Sequence, residues 1–482
     1  MQSIMLQGTG SDVGKSVLVA GICRLLTDRG MTVRPFKPQN MSNNAAPTAD
    51  GGEIGRAQAL QAQACRVRPT FDMNPVLLKP QTDTGAQVIV HGQLYGNLRA
   101  EDFTTARVAL FDFVMQSYER LQAESDIVVI EGAGSPAEIN LRTGDIANMG
   151  FARPANVPVL LIGDIDRGGV IASLVGTKAI LDPDDAALIK GFLINRFRGD
   201  LALFQDGYDT IEKQTGWRGF GVVPWIAAAR SLPAEDAIPA DLGGEGGITI
   251  AVPLLPHIAN FDDLDALEAE TSVQIVRVQP GKALPGDAQM ILLPGSKATI
   301  SDLAFFRAQG WDVDLAAHLR RGGHVVGLCG GYQMLGKTVA DPLGIEGAPN
   351  EVEGLGLLPV RTTLNPDKHV TEVCGVSLPD NTPFRGYEIH CGQTALEAGA
   401  APLLRFSDGS LDGAVRPDGR VAGCYVHRLF DDPAQRARWL TMLGAASDGI
   451  DQTARVEEAL DAVAAALDSC LDIEGILAVA AA

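Results

Sequence analysis

Cationic side chains are in deficit: 39 lysines and arginines stand against 59 aspartates and glutamates, for a formal net charge of −20. A surface of that sign repels phosphodiester backbones and anionic lipid, which argues against nucleic acid and membranes as partners. An anionic small molecule would need a locally basic pocket. Cysteine is sparse, with seven residues scattered along the chain and no Cys-x-x-Cys pair. That argues against a disulfide framework or a zinc ribbon and points to a reducing compartment. Histidine is equally scarce, and no two of the seven have metal-ligand spacing. No apolar run reaches the length that crosses a bilayer. Residues 1–30 carry Asp12 and Lys15 and lack the basic, apolar and small-residue order of a secretory signal. A cytoplasmic location is expected.

What is present suffices for two or three domains with sizeable cores: 482 residues, 46% of them hydrophobic and 20% charged. The most informative stretch is HVVGLCGGYQMLG, residues 324–336. An apolar strand ends at Cys329, with Gly327 before it, Gly330 and Gly331 after it, and a helical segment following. This is a nucleophile elbow with cysteine in place of serine. The turn lifts the sulfur clear of the sheet and aims the Gly330 N–H at an incoming carbonyl oxygen. The plainer reading is a buried cysteine in a glycine-rich turn.

Near the start, Ile4-Met5-Leu6 is a short strand, and Leu18, Ile22, Leu25 and Leu26 recur at helical spacing. Between them lies GTGSDVGKS: Gly8, Thr9, Gly10, Ser11, Asp12, Val13, Gly14, Lys15 and Ser16. Strand, glycine loop, Gly-Lys-Ser and helix make a P-loop. Its backbone N–H groups cradle phosphates, Lys15 neutralises their charge, and the Ser16 hydroxyl can ligate Mg²⁺. A second strand, Thr32–Phe36, is followed by Lys37, Gln39 and Asn40, where open α/β sheets place ligands. A solvated loop is the other reading there. Asp50 and Glu53 fall on a turn, and Asp72–Gly92, rich in polar and amide residues, reads as a long functional loop. Strand 126–130 ends in Glu131, a carboxylate opposite the P-loop and so a candidate Mg²⁺ ligand. Its alternative role is a helix or turn cap. Strand 157–162 ends at Gly163 and Asp164, and a further strand closes at Asn195-Arg196. Repeated strand–helix units with polar strand ends predict a doubly wound parallel sheet.

Periodicity fails between Trp225 and Gly247, where SLPAEDAIPADLGGEGG reads as a linker. Beyond it, strand 290–293 leads into Pro294-Gly295-Ser296-Lys297, whose glycine turn could supply a second oxyanion N–H. A base for Cys329 must be a histidine. His427 directly follows strand 421–426 and is the first choice. His390, in Arg385-Gly386-Tyr387-Glu388-Ile389-His390, is the second, and His324 reads as structural. From about Asp451, Val456, Leu460, Val463 and Leu467 have helical spacing. They read as a helix covering one domain or, alternatively, as a partner-binding helix. The expected division is 1–230, 248–440 and a helical tail, 450–482.

The long glycine loop resembles the dethiobiotin-synthetase-like branch of P-loop proteins, which activate carboxylates by phosphorylation. Related partition ATPases carry a second lysine where this chain has Gly10. In that branch an asparagine at the place of Asn195 reads the purine, which implies Asn195 and Arg196 in nucleotide binding. The whole order of motifs resembles the glutamine-hydrolysing cobyric acid synthase family, through FKPQNM, ADGGEIGRAQALQAQA, DMNPVLLKP, EGAGSPAEINL, PGSK, GLCGGYQMLG and RGYEIH. The resemblance implies an ATP-dependent synthetase domain followed by a class I-like glutamine amidotransferase domain. It implies amidation of the b, d, e and g carboxylates of adenosylcobyrinic acid a,c-diamide. ATP and Mg²⁺ would be required, with glutamine and a corrinoid as substrates.

The implied sites are Cys329 and His427 for catalysis, Gly295 and Gly330 for the oxyanion, and residues 8–16 for the nucleotide. Ser16, Asp50 and Glu131 would hold the metal, and Lys37, Gln39, Asn40, Tyr387 and Glu388 would contact substrate. Many class I amidotransferases carry glutamate two residues after the catalytic histidine. Here that residue is Leu429, as in the cobyric acid group, which leaves a Cys–His dyad with no assigned third member. Ammonia made at one site must reach the other shielded from water. Three other readings are a cobyrinic acid a,c-diamide synthase, a non-catalytic P-loop scaffold, and a glutaminase partner in peptidoglycan amidation. The FKPQNM and DMNPVLLKP loops, the intact Cys329, His427 and Lys15, and the complete P-loop domain count against them respectively.

Overall fold

A computed structural model describes residues 2–82, 85–99, 103–235, 247–378 and 380–482. The chain forms two compact units: 1–42 with 48–235 and 456–482, and 43–47 with 236–455. Most of the stretch read as a linker, residues 236–246, lies outside the described residues.

The first unit is built on six strands: β1 (Gln2–Gly8), β2 (Val33–Phe36), β3 (Ile127–Glu131), β4 (Val159–Asp164), β5 (Ile189–Phe197) and β6 (Arg218–Pro224). They lie in the order β6-β5-β4-β1-β3-β2, every neighbour parallel. The direction of winding reverses about β1, and ligands gather at the carboxyl ends of strands at such a switch point. Strand side chains alternate between faces. Ile4, Leu6, Ile127 and Val129 enter one apolar cluster, while Met5, Val128 and Ile130 enter the other. Both faces are therefore covered, and the central strands read as unbroken apolar runs.

Helix α1 (Lys15–Asp28) packs Leu18, Ile22, Leu25 and Leu26 into the first cluster together with Val456, Leu460, Val463 and Leu467 of the Gln452–Cys470 helix. The two helices approach closely. A Cβ on Gly21 would lie 2.6 Å from Leu467 Cδ1 and 2.7 Å from Val463 Cγ1. The stretch 72–92 is not a loop. Val76–Thr82 and Gly85–Val90 pair antiparallel, flanked by Gln39–Met41 and Gln93–Arg99 in one small sheet. Its amides mask two β-rich apolar runs, Val76-Leu77-Leu78 and Val88-Ile89-Val90, which are buried and bring the strands together.

The second unit carries β7 (Ile248–Pro253), β8 (Val273–Val278), β9 (Met290–Leu293), β10 (His324–Leu328), β11 (Ala414–Val415) and β12 (Val421–Cys424). The order is β8-β7-β9-β10-β12-β11, parallel except for β11. β9, β10 and β12 are adjacent, with Leu293 opposite Gly327 and Leu328 opposite Cys424, so the segments leaving them emerge side by side. A second sheet is dominated by the antiparallel strands Val360–Ser377 and Pro383–Leu396, the latter carrying the RGYEIH stretch.

Leu467, on the Gln452–Cys470 helix, is fully buried against α1. Leu467→Ala should destabilise the first unit by ~3 kcal/mol, the usual cost of a large-to-small core change. The check is a lower urea midpoint for that unit's transition with its slope unchanged.

Candidate active sites

In the first unit the loop after β1 turns into α1 through Gly14, at φ 90° and ψ 23°. That left-handed conformation favours glycine. Space demands it as well: a Cβ there would lie 2.3 Å from Asn195 Nδ2. The Asn195 amide donates to the Val13 carbonyl at 2.8 Å, bracing the loop from the end of β5. Its neighbour Arg196, at φ 61°, pairs with Asp164 at 2.9 Å. Lys15 Nζ donates to the Gly10 carbonyl at 2.9 Å and the Gly134 carbonyl at 3.2 Å, so the ammonium bridges its own loop and the segment after β3. Burial pulls the Lys15 ammonium below its ordinary value, and Lys37 adds to the fall against the pull of Glu131, Glu235 and Asp12.

Two carboxylates meet at Ser16. Its hydroxyl contacts Glu131 Oε1 at 2.8 Å and Glu235 Oε2 at 2.7 Å. Lys37 Nζ bridges the same two groups at 2.9 Å and 2.6 Å. Gln61 donates to the other oxygen of Glu131. Burial alone would lower Lys37, but the charges of Glu131 and Glu235 outweigh it and raise Lys37 above its ordinary value. Burial likewise pushes Glu235 up, and Lys37 with hydrogen bonds from Ser16 and Asn40 brings it below the usual carboxylate range. Hard oxygen donors of this kind suit Mg²⁺, which in nucleotide sites takes one or two carboxylates and completes its shell with phosphate and water. The Asp50 carboxylate accepts from the Phe71 N–H at 3.3 Å on an exposed turn. Among the described residues no three His, Cys, Asp or Glu side chains form a metal cluster.

Of the other substrate candidates, Gln39 and Asn40 are buried in the short strand 39–41. Asn40 donates its amide to Gln58 Oε1 at 3.0 Å and its Oδ1 accepts from the Met41 N–H at 2.8 Å.

In the second unit Cys329 lies between β10 and helix α2 (Gly330–Leu335), at φ 49° and ψ −108°. Such a conformation costs about 1–3 kcal/mol in a non-glycine residue and is held by what surrounds it. The neighbours leave no room for side chains. A Cβ on Gly331 would lie 2.2 Å from the Leu293 carbonyl oxygen, and one on Gly330 would lie 2.7 Å from the Ser296 nitrogen. The Gly295-Ser296 turn after β9 thus presses against the start of α2, beside the cysteine. A Cβ on Gly295 would lie 3.1 Å from His427 Cε1, which places that imidazole at the same point.

His427 is buried and feels the Cys329 side chain, whose thiol donates to the Ile389 carbonyl oxygen at 3.7 Å. Its Nδ1 meets Asp263 Oδ2 at 2.8 Å. The other oxygen of Asp263 accepts from the Arg428 N–H at 2.6 Å, made available by a left-handed φ of 59° at Arg428. Burial disfavours the imidazolium, but the charge and hydrogen bond of Asp263, with a further contribution from Cys329, push His427 up to about 10. Tyr387 stacks on the imidazole with centroids 5.3 Å apart, and its backbone pairs with His427 at 2.8 Å and 3.2 Å. Gly386 permits that pairing, since a Cβ there would lie 2.3 Å from the His427 carbonyl oxygen.

The alternative histidine, His390, has different partners. Its ring stacks on Tyr425 at 3.7 Å, and Nδ1 contacts the Gly392 carbonyl at 2.8 Å. Glu388 is buried with one oxygen 3.1 Å from His369 Nε2 and the other 3.8 Å from His390 Nε2.

Three residues escape the sequence reading. Glu235 lies in the acidic Pro- and Gly-rich stretch, which has no periodicity to mark it. Gln61 is one of several glutamines in a helix. Asp263 left a signal: Asn-Phe-Asp-Asp-Leu after β7, an acidic pair between two apolar residues. It meets the His427 ring from a different part of the chain than the position of Leu429, which is buried in the core.

The parts define a class: a P-loop nucleotide-binding unit and a cysteine-dependent glutamine amidotransferase unit in one chain. Residues 4–240 match the CobQ/CobB/MinD/ParA nucleotide binding domain, and residues 249–435 match the CobB/CobQ-like glutamine amidotransferase domain. The cobyric acid synthase of Rhizorhabdus wittichii is 60% identical, with 100% of both chains covered. Those of Rhodobacter capsulatus, covering 100% of both chains, and of Methylorubrum populi, covering 99% of this chain and 98% of that one, are each 58% identical. The chain belongs to the cobyric acid synthase family.

Asp263→Asn should lower kcat/KM for glutamine hydrolysis by ~100-fold or more, the range of positioned acid–base catalysis. Because Asp263 holds the imidazolium, its loss lowers the pKa of His427. The alkaline limb of the pH–rate profile, where the imidazolium loses its proton, should move to lower pH. An unmoved limb would show that Asp263 does not govern His427.

Proposed function

We propose that the protein amidates the b, d, e and g side-chain carboxylates of adenosylcobyrinic acid a,c-diamide, using ATP and glutamine and giving adenosylcobyric acid. It is a glutamine-dependent amide ligase. The observation that carries this reading is the coexistence of a complete P-loop and a complete Cys–His–Asp arrangement in a chain alike to its relatives over its full length. In this reading residues 1–230 carry the synthetase chemistry with Glu235 just beyond them, 248–440 carry the amidotransferase chemistry, and the helical tail expected over 450–482 packs from residue 456 into the first unit.

A carboxylate does not react with ammonia, because oxide would have to leave. Transfer of the γ-phosphoryl group of ATP to a corrinoid carboxylate gives an acyl phosphate, from which phosphate departs readily. Lys15 and the N–H groups of residues 8–16 hold the transferring group, the role of preorganised donors in phosphoryl transfer. Ser16 and Glu131, with Glu235 beside them, are the groups that would hold Mg²⁺. Bound there, the ion would offset charge on the phosphates. Lys37 is placed to follow negative charge as it moves onto the substrate.

In the second unit the Cys329 thiolate attacks the glutamine side-chain carbonyl. The oxyanion faces the N–H groups of Gly330 and the Gly295 turn. His427 protonates the nitrogen as the C–N bond breaks, and ammonia leaves a thioester. The same imidazole then removes a proton from water, which attacks the thioester and releases glutamate. Asp263 keeps the ring oriented throughout.

The test is mass spectrometry of the corrinoid after incubation with ATP and glutamine, where four amidations are expected. Cys329→Ala should lose glutamine-dependent product and retain product with concentrated ammonia, rising with pH as free NH₃ accumulates. Lys15→Ala should lose product from either nitrogen source, with a penalty of ~3 kcal/mol or more in transition-state stabilisation. Failure of Cys329→Ala with ammonia, while ATP binds normally, would overturn the two-site scheme.

A further inference from the structure

The turn that carries Asp263 is held by residues from far earlier in the chain. Asn260, just before it, is buried at φ 53° and ψ 49°, a conformation that asparagine tolerates better than most residues. Asn260 Oδ1 accepts from the Ala45 N–H at 2.9 Å. Asn44 Oδ1 accepts from the Phe261 N–H at 3.3 Å. The Tyr387 hydroxyl donates to the Ala45 carbonyl at 3.3 Å, and the same ring stacks on His427. All these residues belong to the second unit, although Asn44 and Ala45 precede the rest of it by about 200 positions. One peptide thus grips both supports of the imidazole: the Asp263 turn through Asn260 and Asn44, and the Tyr387 ring through the Ala45 carbonyl.

We propose that Asn44 and Asn260 are positioning residues for glutamine hydrolysis, acting with the Ala45 backbone to clamp the Asp263 turn and Tyr387 about His427. This rests on the reading of Cys329 and His427 as the glutaminase pair. The physical reason is pairing of buried donors. The N–H groups of Ala45 and Phe261 are buried, and each takes its acceptor from the clamp. Without Asn44 Oδ1 or Asn260 Oδ1, the turn gains by shifting toward another acceptor. A shift of an ångström at a catalytic group can cost about 100-fold. The groups facing His427 are Asp263, Cys329 and Tyr387; beyond them Arg428 pairs with Asp431 and lies near Asp262. The clamp acts on the first and third of these.

Asn260→Gly keeps the left-handed backbone and removes the side chain with its acceptor. Asn44→Ala removes the second. Each is made in the full chain, and kcat/KM for glutamine hydrolysis is measured across pH beside ammonia-dependent amidation. Each should lose about tenfold to 100-fold, mainly in kcat, with the alkaline limb moved to lower pH as in Asp263→Asn. The double variant should lose less than the product of the two single losses, since both release one clamp. Ammonia-dependent amidation should be retained, which reports a folded first unit. Parental hydrolysis in both variants overturns the clamp. So does a lowered kcat with an unmoved limb, because a merely loosened fold would do the same. Absence of glutamine hydrolysis in the parent protein would instead overturn the functional reading beneath it.

Discussion

A buried carboxylate survives only where donors converge on it. Taking an ionised carboxylate out of water costs several kcal/mol unless hydrogen bonds and counter-charge replace the solvent. Glu131 ends a strand with every residue buried, and Ser16, Lys37 and Gln61 answer it from three separate segments. Asp263 is met by the His427 ring and the Arg428 N–H. In each unit the arrangement of loops at the strand ends follows from that demand. A charge held out of water acts on its neighbours with little screening.

The two units solve a second problem alike. A parallel strand must stop, turn within a few residues, and present backbone N–H groups at the start of a helix. In the first unit the turn passes through left-handed Gly14; in the second it passes through Cys329 itself. Glycine at position 14 has no conformational cost of that kind, whereas cysteine at 329 is strained. The strain is tolerated because Gly331 lets the Leu293 carbonyl approach and Gly330 lets the Ser296 backbone approach. The position that must carry a nucleophile could not be glycine, so its neighbours are.

Both sheets were legible in the sequence because their central strands are short unbroken apolar runs ending in polar residues. Cys329 and the P-loop were legible because glycine spacing around a functional residue is a local signal. His427 could be placed only relative to its own strand. What was not legible depends on pairing across the chain. Asp263 reaches His427 over 164 positions, and Glu235 reaches Ser16 over 219. Nothing local distinguishes such a carboxylate from a solvated one. The 72–92 stretch misleads for the opposite reason: its amides suggest a loop, and only the pairing of its two apolar runs makes it a hairpin. Asp50 sits in a motif-like setting, yet its carboxylate caps a turn.

The membership of residues 43–47 in the second unit, and of 456–482 in the first, bears on how such a chain could have been assembled from two genes. A simple end-to-end fusion would leave each unit contiguous. Here a cut at residues 236–246 yields a front piece without its final helices and a back piece without residues 43–47. The front piece would expose the apolar face that Leu460, Val463 and Leu467 cover. The back piece would leave Asn260 and Phe261 without partners for their buried polar groups. The two units are thus interleaved in the chain, and neither is a single continuous block.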